Sequence, residues 1–116
     1  VVDLGSGDGR LLFEVANLGA FAIGYEVNPF MIIVSTIKRT LKGHDHGVKI
    51  KNESMWNADL KIANVVLVYS LVKKMKKFED FIYKNAKPGT RIIVNTNPFP
   101  GKKPRKSKDK IFLYVV

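Results

Sequence analysis

Short β-branched runs alternate along this chain with stretches whose apolar residues recur at helical spacing. VVDL (residues 1–4) reads as a buried strand. DGRLLFEVANLG then carries apolar residues at 11, 12, 15, 16 and 18 and closes at Gly19, a helix stripe with a glycine stop. AFAIGYE (20–26) is a second strand. Asn28-Pro29 opens the next helix, with the proline at the first helical position, apolar spacing through Met31, Ile32, Val34, Ile37 and Leu41, and an end at Gly43. GVKIKNE (47–53) alternates enough to predict an edge strand, and ANVVLVYS (63–70), the most continuously apolar run, predicts a central one. KKMKKFEDFIYKNA (73–86) predicts an amphipathic helix with Met75, Phe78, Phe81 and Ile82 inward. After the turn KPG (87–89) come a strand, TRIIVNT (90–96), a basic loop, and a last strand, KIFLYVV (110–116).

This succession implies an α/β fold, a mainly parallel sheet with right-handed crossovers and helices on both faces, as one domain over residues 1–116. Open sheets of this kind bind ligands outside the carboxyl ends of their strands, where strand order reverses. The turn GSGDG follows the first strand there. Glycines at 5, 7 and 9 permit positive φ and let a ligand approach the backbone. A P-loop would need a Lys followed by Ser or Thr at the end of the turn, and neither is present. A dinucleotide fingerprint would need its third glycine where Arg10 stands, and a pyrophosphate would meet Asp8 at the helix N-terminus. S-adenosylmethionine fits better. It carries no phosphate, its α-ammonium and sulfonium gain from nearby acids, and Glu26 ends the second strand where a ribose diol wants a carboxylate.

VVDLGSGDGR followed by GYEVNP resembles the first two motifs of class I S-adenosylmethionine-dependent methyltransferases, Rossmann-like enzymes. More narrowly, DLGSGDGR, YEVNP, ESMWNADL, ANVVLVYSL and KPGTRIIVNTNPFP resemble, in order, blocks of the small protein-lysine methyltransferases. That family includes the ATP synthase c-subunit lysine methyltransferase and archaeal lysine methyltransferases. The resemblance covers most of residues 1–100. It implies that Asp3 and the turn Gly5, Ser6, Gly7 and Asp8 cradle the methionine moiety, that Glu26 holds the ribose hydroxyls, and that Asn28 sits beside the ribose. Ser54 falls where the family usually has an Asp or Asn facing the adenine amino group, with Met55 and Trp56 flanking the base. Tyr69, ending the central strand, would face the methyl group as the catalytic residue. Asn97, Pro98 and Phe99 of NPFP would form one wall of the substrate site; for Tyr69 and NPFP the bland alternatives are a strand aromatic and a rigid turn.

Composition narrows the setting. The chain has 116 residues, 46% of them apolar, enough for a real core, and no apolar run long enough to span a membrane. Without cysteine there are no disulfides or thiolate metal sites, and His44 and His46 in GHDHG make a poor ligand set, so no metal is expected. No signal peptide is visible, which makes the cytoplasm the default. The net charge is +10, and half of that excess lies in KKPRKSKDK (102–110), with six basic residues and one acid. Such a loop either is solvated, recruits an acidic protein face or contacts nucleic acid.

The resemblance implies transfer of a methyl group to a lysine amine of a protein. The alternatives are a nucleic-acid methyltransferase and a cofactor-binding module completed by a partner. Base-methylating enzymes carry an Asn/Asp-Pro-Pro-aromatic motif after strand four, where this chain reads YSLV, while its NPFP follows strand five. The module reading is motivated by length. Only one terminal strand is evident where class I folds end in a hairpin, and no helix precedes strand one, so the fold is expected to be truncated and minimal. Exposed edges at strand three and at the terminal strand favour pairing between copies, leaving a homodimer open.

Overall fold

A computed structural model describes all residues, 1–116, and the chain forms two compact units, Val1–Ala58 and Asp59–Val116. The first holds β1 (Val2–Leu4), α1 (Arg10–Asn17), β2 (Ala22–Tyr25), α2 (Pro29–Leu41) and β3 (Val48–Lys51). β2 pairs in parallel with β1 on one side and β3 on the other. Each crossover is a helix, as parallel neighbours require. Asn28 caps α2, its Oδ1 accepting from Phe30 N at 3.0 Å and Met31 N at 3.4 Å, and Pro29 fills the first helical position where no amide bond is needed. Leu12 and Phe13 of α1 bury against Ala22 and Val48, which places the core of this unit under α1. His44 is tied into this unit: its ring stacks on Phe13 at 6.0 Å and shares a hydrogen bond with Asn17.

The spacing of α2 misleads about its buried side. Only Ser35 is buried, while Phe30, Ile33, Ile37 and Leu41 form a stripe that faces outward. Ser35 lies 3.3 Å from where a Cβ on Gly9 would stand, so a small residue is what lets the helix approach the turn. Apolar periodicity identifies the helix but cannot tell which of two apolar faces meets the sheet.

In the second unit, β4 (Val65–Tyr69) pairs in parallel with β5 (Arg91–Asn95); β5 then pairs antiparallel with β7 (Ile111–Val115), and β7 antiparallel with β6 (Lys106–Lys108). β6 lies inside the basic segment that the sequence reads as a loop, so the terminal hairpin is present and that part of the motive for an incomplete module is lost. Its three residues are all exposed and include two lysines, leaving no apolar signal to read. The terminal strand is therefore not an edge: β7 is paired on both sides, and β6 is the edge, with lysines of the kind that deter edge-to-edge pairing. α3 (Met75–Asn85) buries Met75, Phe78 and Ile82 as its spacing predicts, with Phe81 half-buried. It also buries Glu79. No helix of the chain is long and apolar enough to cross a membrane.

Candidate functional site

The turn after β1 is tied to β2 by its own backbone: Gly5 N and Ser6 N both donate to Tyr25 O at 3.0 Å. Gly5, Gly7 and Gly9 all adopt positive φ, so the glycine spacing reflects a backbone path that L side chains rarely follow. Glu26 fastens this path from the next strand. Its Oε1 accepts from Gly7 N at 2.8 Å, and its Oε2 accepts from Val27 N at 3.0 Å and Asn28 N at 2.9 Å. One carboxylate thus sets both the glycine turn and the start of α2.

Gly24, which sequence reading passes over, is the other requirement. A Cβ there would stand 2.5 Å from Leu12 Cδ1 and 2.6 Å from Ser6 Oγ, so only glycine lets β2 lie against the turn. Within the turn the Ser6 hydroxyl is buried toward β2 with no hydrogen-bond partner, so its side chain faces the fold. Asp8 likewise spends its carboxylate inside the turn, accepting from Arg10 N and Arg10 Nη2 at 3.2 Å and from Lys38 Nζ at 3.1 Å. The hydrogen bond from Arg10, with help from Lys38, holds its pKa down to about 2. Asp3 is buried in the middle of β1, and its pKa is pushed up to about 7, first by desolvation and then by the charge of Glu26.

A cavity of about 180 Å³ opens beside the turn, lined by Gly5, Tyr25, Glu26, Val27, Glu53, Ser54, Met55 and Trp56. Of the predicted cofactor residues it brings together Gly5, Glu26, Ser54, Met55 and Trp56, from the ends of all three strands. Tyr25, Val27 and Glu53 are additional; their signal is adjacency to Glu26 and Ser54 at the two strand ends. Ser54 accepts from Trp56 N at 3.3 Å and caps a short 3₁₀ turn at Met55–Asn57, so its hydroxyl fixes that turn. Asn28 similarly gives its Oδ1 to α2. An adenosine fits this lining: a carboxylate for the diol, apolar flanks in Val27, Met55 and Trp56, and no cation that would favour phosphate.

In the second unit, Tyr69 ends β4 and is 62% exposed, a placement open to a substrate. Asn97 Nδ2 donates to Ser70 O at 2.8 Å, which brings Asn97 beside Tyr69 and leaves Oδ1 to accept from a bound group. Pro98 is exposed. Phe99 is not a wall residue. It is 3% exposed, its ring lies 4.7 Å from that of Tyr114 and 6.4 Å from that of Tyr83, and its amide donates to Tyr114 Oη at 2.9 Å. An aromatic between prolines reads equally as wall or as plug, and here it plugs the core. Glu79 anchors the same segment, accepting from Gly101 N at 2.7 Å and from Lys76 Nζ at 2.9 Å. A Cβ on Gly101 would lie 2.6 Å from Glu79 Oε2, so a larger residue there would push the Glu79 carboxylate from its place.

The sequence model of the ANTKMT methyltransferase domain matches residues 3–106, from Asp3 within β1 to the start of β6. The chain belongs to that family. Among curated relatives of this methyltransferase domain, the ATP synthase c-subunit lysine N-methyltransferase of Xenopus laevis is 29% identical over 100 residues, 86% of this chain and 44% of that protein. The protein-lysine N-methyltransferase of Saccharolobus islandicus (strain REY15A) is 28% identical over 127 residues, all of this chain and 78% of that protein. The chain thus spans less than half the length of the Xenopus relative. Among solved structures, an RNA methyltransferase from Salinibacter ruber, in complex with S-adenosyl-L-homocysteine, superimposes with a TM-score of 0.94 at 24% identity, covering 98% of this chain and 78% of that one. That likeness establishes the Rossmann-like methyltransferase fold, in keeping with the α/β expectation. The cofactor of a methyltransferase domain with this cavity is S-adenosylmethionine.

Proposed function

We propose that this chain transfers a methyl group from S-adenosylmethionine to the side-chain amine of a protein lysine. The observation that carries the reading is the family match across the glycine turn and Glu26, joined to relatives whose names specify lysine N-methylation. Glu26 would take the ribose, Met55 and Trp56 the adenine, and Asp3 with the backbone of Gly5 and Gly7 the methionine end. The cofactor supplies a methyl group already activated on a sulfonium, so the protein's task is alignment and proton management rather than nucleophilic catalysis.

A lysine amine must be neutral to attack. Asn97 Oδ1 is an acceptor for an amine N–H, and Tyr69 offers a ring face for the aliphatic stem or the methylated cation and a hydroxyl to orient the amine. The buried Asp3 carboxyl, about half protonated at neutral pH when alone, would be held ionised by the cofactor's α-ammonium, a counter-charge its burial otherwise denies it. The experiment is incubation with radiolabelled cofactor and a lysate, followed by nuclease or protease. Label that survives nuclease and is lost to protease supports lysine methylation; the reverse pattern replaces it with nucleic-acid methylation.

A further inference from the structure

In-register pairing lays one row of residues across four strands: Tyr69 of β4 opposite Asn95 of β5, Asn95 opposite Ile111 of β7, and Ile111 opposite Lys108 of β6. A second row, Leu67, Ile93, Leu113 and Lys106, lies two residues along on the same face. α3 packs on the opposite face, where its Tyr83 reaches Tyr114 through Phe99. The open face holds a groove of about 540 Å³ lined by Ile93, Lys106, Ser107, Lys108, Ile111 and Leu113. Lys106 and Lys108 of that lining are both exposed and neither is in an ion pair.

An apolar concavity flanked along β6 by two unpaired lysines limits what can cover it. A second copy seated on this face would set these lysines against their own counterparts. A flat lipid surface would meet the lysines but leave the half-buried Ile93 and Leu113 unfilled. A peptide segment bearing apolar side chains to fill the groove and carboxylates to meet the lysines satisfies both demands.

We propose that this face docks an acidic, apolar segment of the protein whose lysine is methylated, and that the Lys108–Ile111–Asn95–Tyr69 row leads from that anchor to the acceptor site. The inference rests on the lysine reading above and adds a specificity element to it. Three inter-strand spacings separate Lys108 from Tyr69, about 14 Å, the reach of roughly four extended residues. The acidic anchor should therefore sit about four residues or more from the target lysine.

The test uses a labelled peptide of alternating Glu and Leu joined to one lysine at that distance, a matched Ser-for-Glu peptide, and the double variant K106E/K108E. Fluorescence anisotropy without methyl donor reads docking alone. The acidic peptide should bind the wild-type chain, bind about tenfold or more weakly to K106E/K108E, and weaken as salt rises. In methyl-transfer assays its KM advantage over the Ser-for-Glu peptide should disappear in the variant while kcat stays unchanged. Both altered lysines are exposed, and an unchanged unfolding midpoint checks the fold; K106Q/K108Q, which removes charge without reversing it, gives a second reading if the midpoint moves. Absent binding, or binding indifferent to both variants, overturns the docking surface whatever methyl transfer shows. Intact, charge-dependent binding with label found only in nucleic acid overturns the lysine reading instead, and with it the docked segment as substrate. Selective uptake of anionic phosphatidylglycerol vesicles or single-stranded RNA, or a concentration-dependent dimer lost in K106E/K108E, with no peptide binding, replaces the proposed occupant.

Discussion

Replacing Glu26 by Gln tests whether one carboxylate both shapes the turn and holds the ribose. Three backbone amides converge on it: Gly7 on Oε1, and Val27 and Asn28 on Oε2. A glutamine keeps one carbonyl oxygen. If that oxygen faces Val27 and Asn28, the amide NH₂ confronts the N–H of Gly7; if it faces Gly7, two bonds are lost. Hydrogen bonds to a charged acceptor contribute about 1.5–3 kcal/mol each, so the turn should lose at least about 1.5 kcal/mol before any compensation. Part returns because Asp3 no longer faces a second negative charge. In binding, loss of the charged acceptor for the diol adds to the disordered turn, and affinity for S-adenosylhomocysteine should fall about 10–100-fold, each tenfold being about 1.4 kcal/mol. Isothermal titration measures the affinity and urea unfolding the stability, with the exposed Glu14→Gln as a control for net charge. Glu26→Gln binding the product about as tightly as wild type, at an unchanged unfolding midpoint, refutes both roles.

Asp3 gives a pH signature. Its folded pKa of about 7 lies above its unfolded value, so the group costs nothing below about pH 4, costs progressively more up to about pH 7, and levels off above that. Urea unfolding across this range should show the wild type losing stability relative to Asp3→Asn as pH rises; parallel curves would show that Asp3 does not titrate there. Gly24→Ala should cost about 1–3 kcal/mol by overpacking Leu12 and Ser6, and weaken product binding with it. Phe99→Ala should cost about 3–5 kcal/mol, the loss expected of a core aromatic; a stability change below about 1 kcal/mol would return Phe99 to the surface. Tyr69→Phe should lower kcat about tenfold or more through misalignment with product affinity unchanged, and equal turnover would remove Tyr69 from catalysis.

What could be read beforehand depended on whether the physics is local. The strands and helices follow from β-branched runs, the N-cap Asn28 and glycine stops, and the cofactor loop from its glycine spacing and Glu26, because each is encoded within a few neighbouring residues. β6 escaped because its register is supplied by β7 and its three exposed residues carry no apolar period. The roles of Ser6, Asp8 and Phe99 escaped for a related reason. Whether a polar or aromatic side chain meets a ligand or its own fold is decided in large part by partners far along the chain: Gly24 for Ser6, Lys38 beside the nearby Arg10 for Asp8, Tyr114 for Phe99. Glu79, an acid in an otherwise ordinary amphipathic helix, pairs locally with Lys76, but its burial is explained by Gly101, 22 residues later.

The outward stripe of α2 carries a thermodynamic consequence. Phe30, Ile33, Ile37 and Leu41 keep much of their hydration in the native chain, so unfolding newly wets less hydrocarbon than the 46% apolar composition suggests. Calorimetry of the isolated chain should return a heat-capacity increment below the usual ~12–15 cal/mol/K per residue, giving a broad, shallow stability curve.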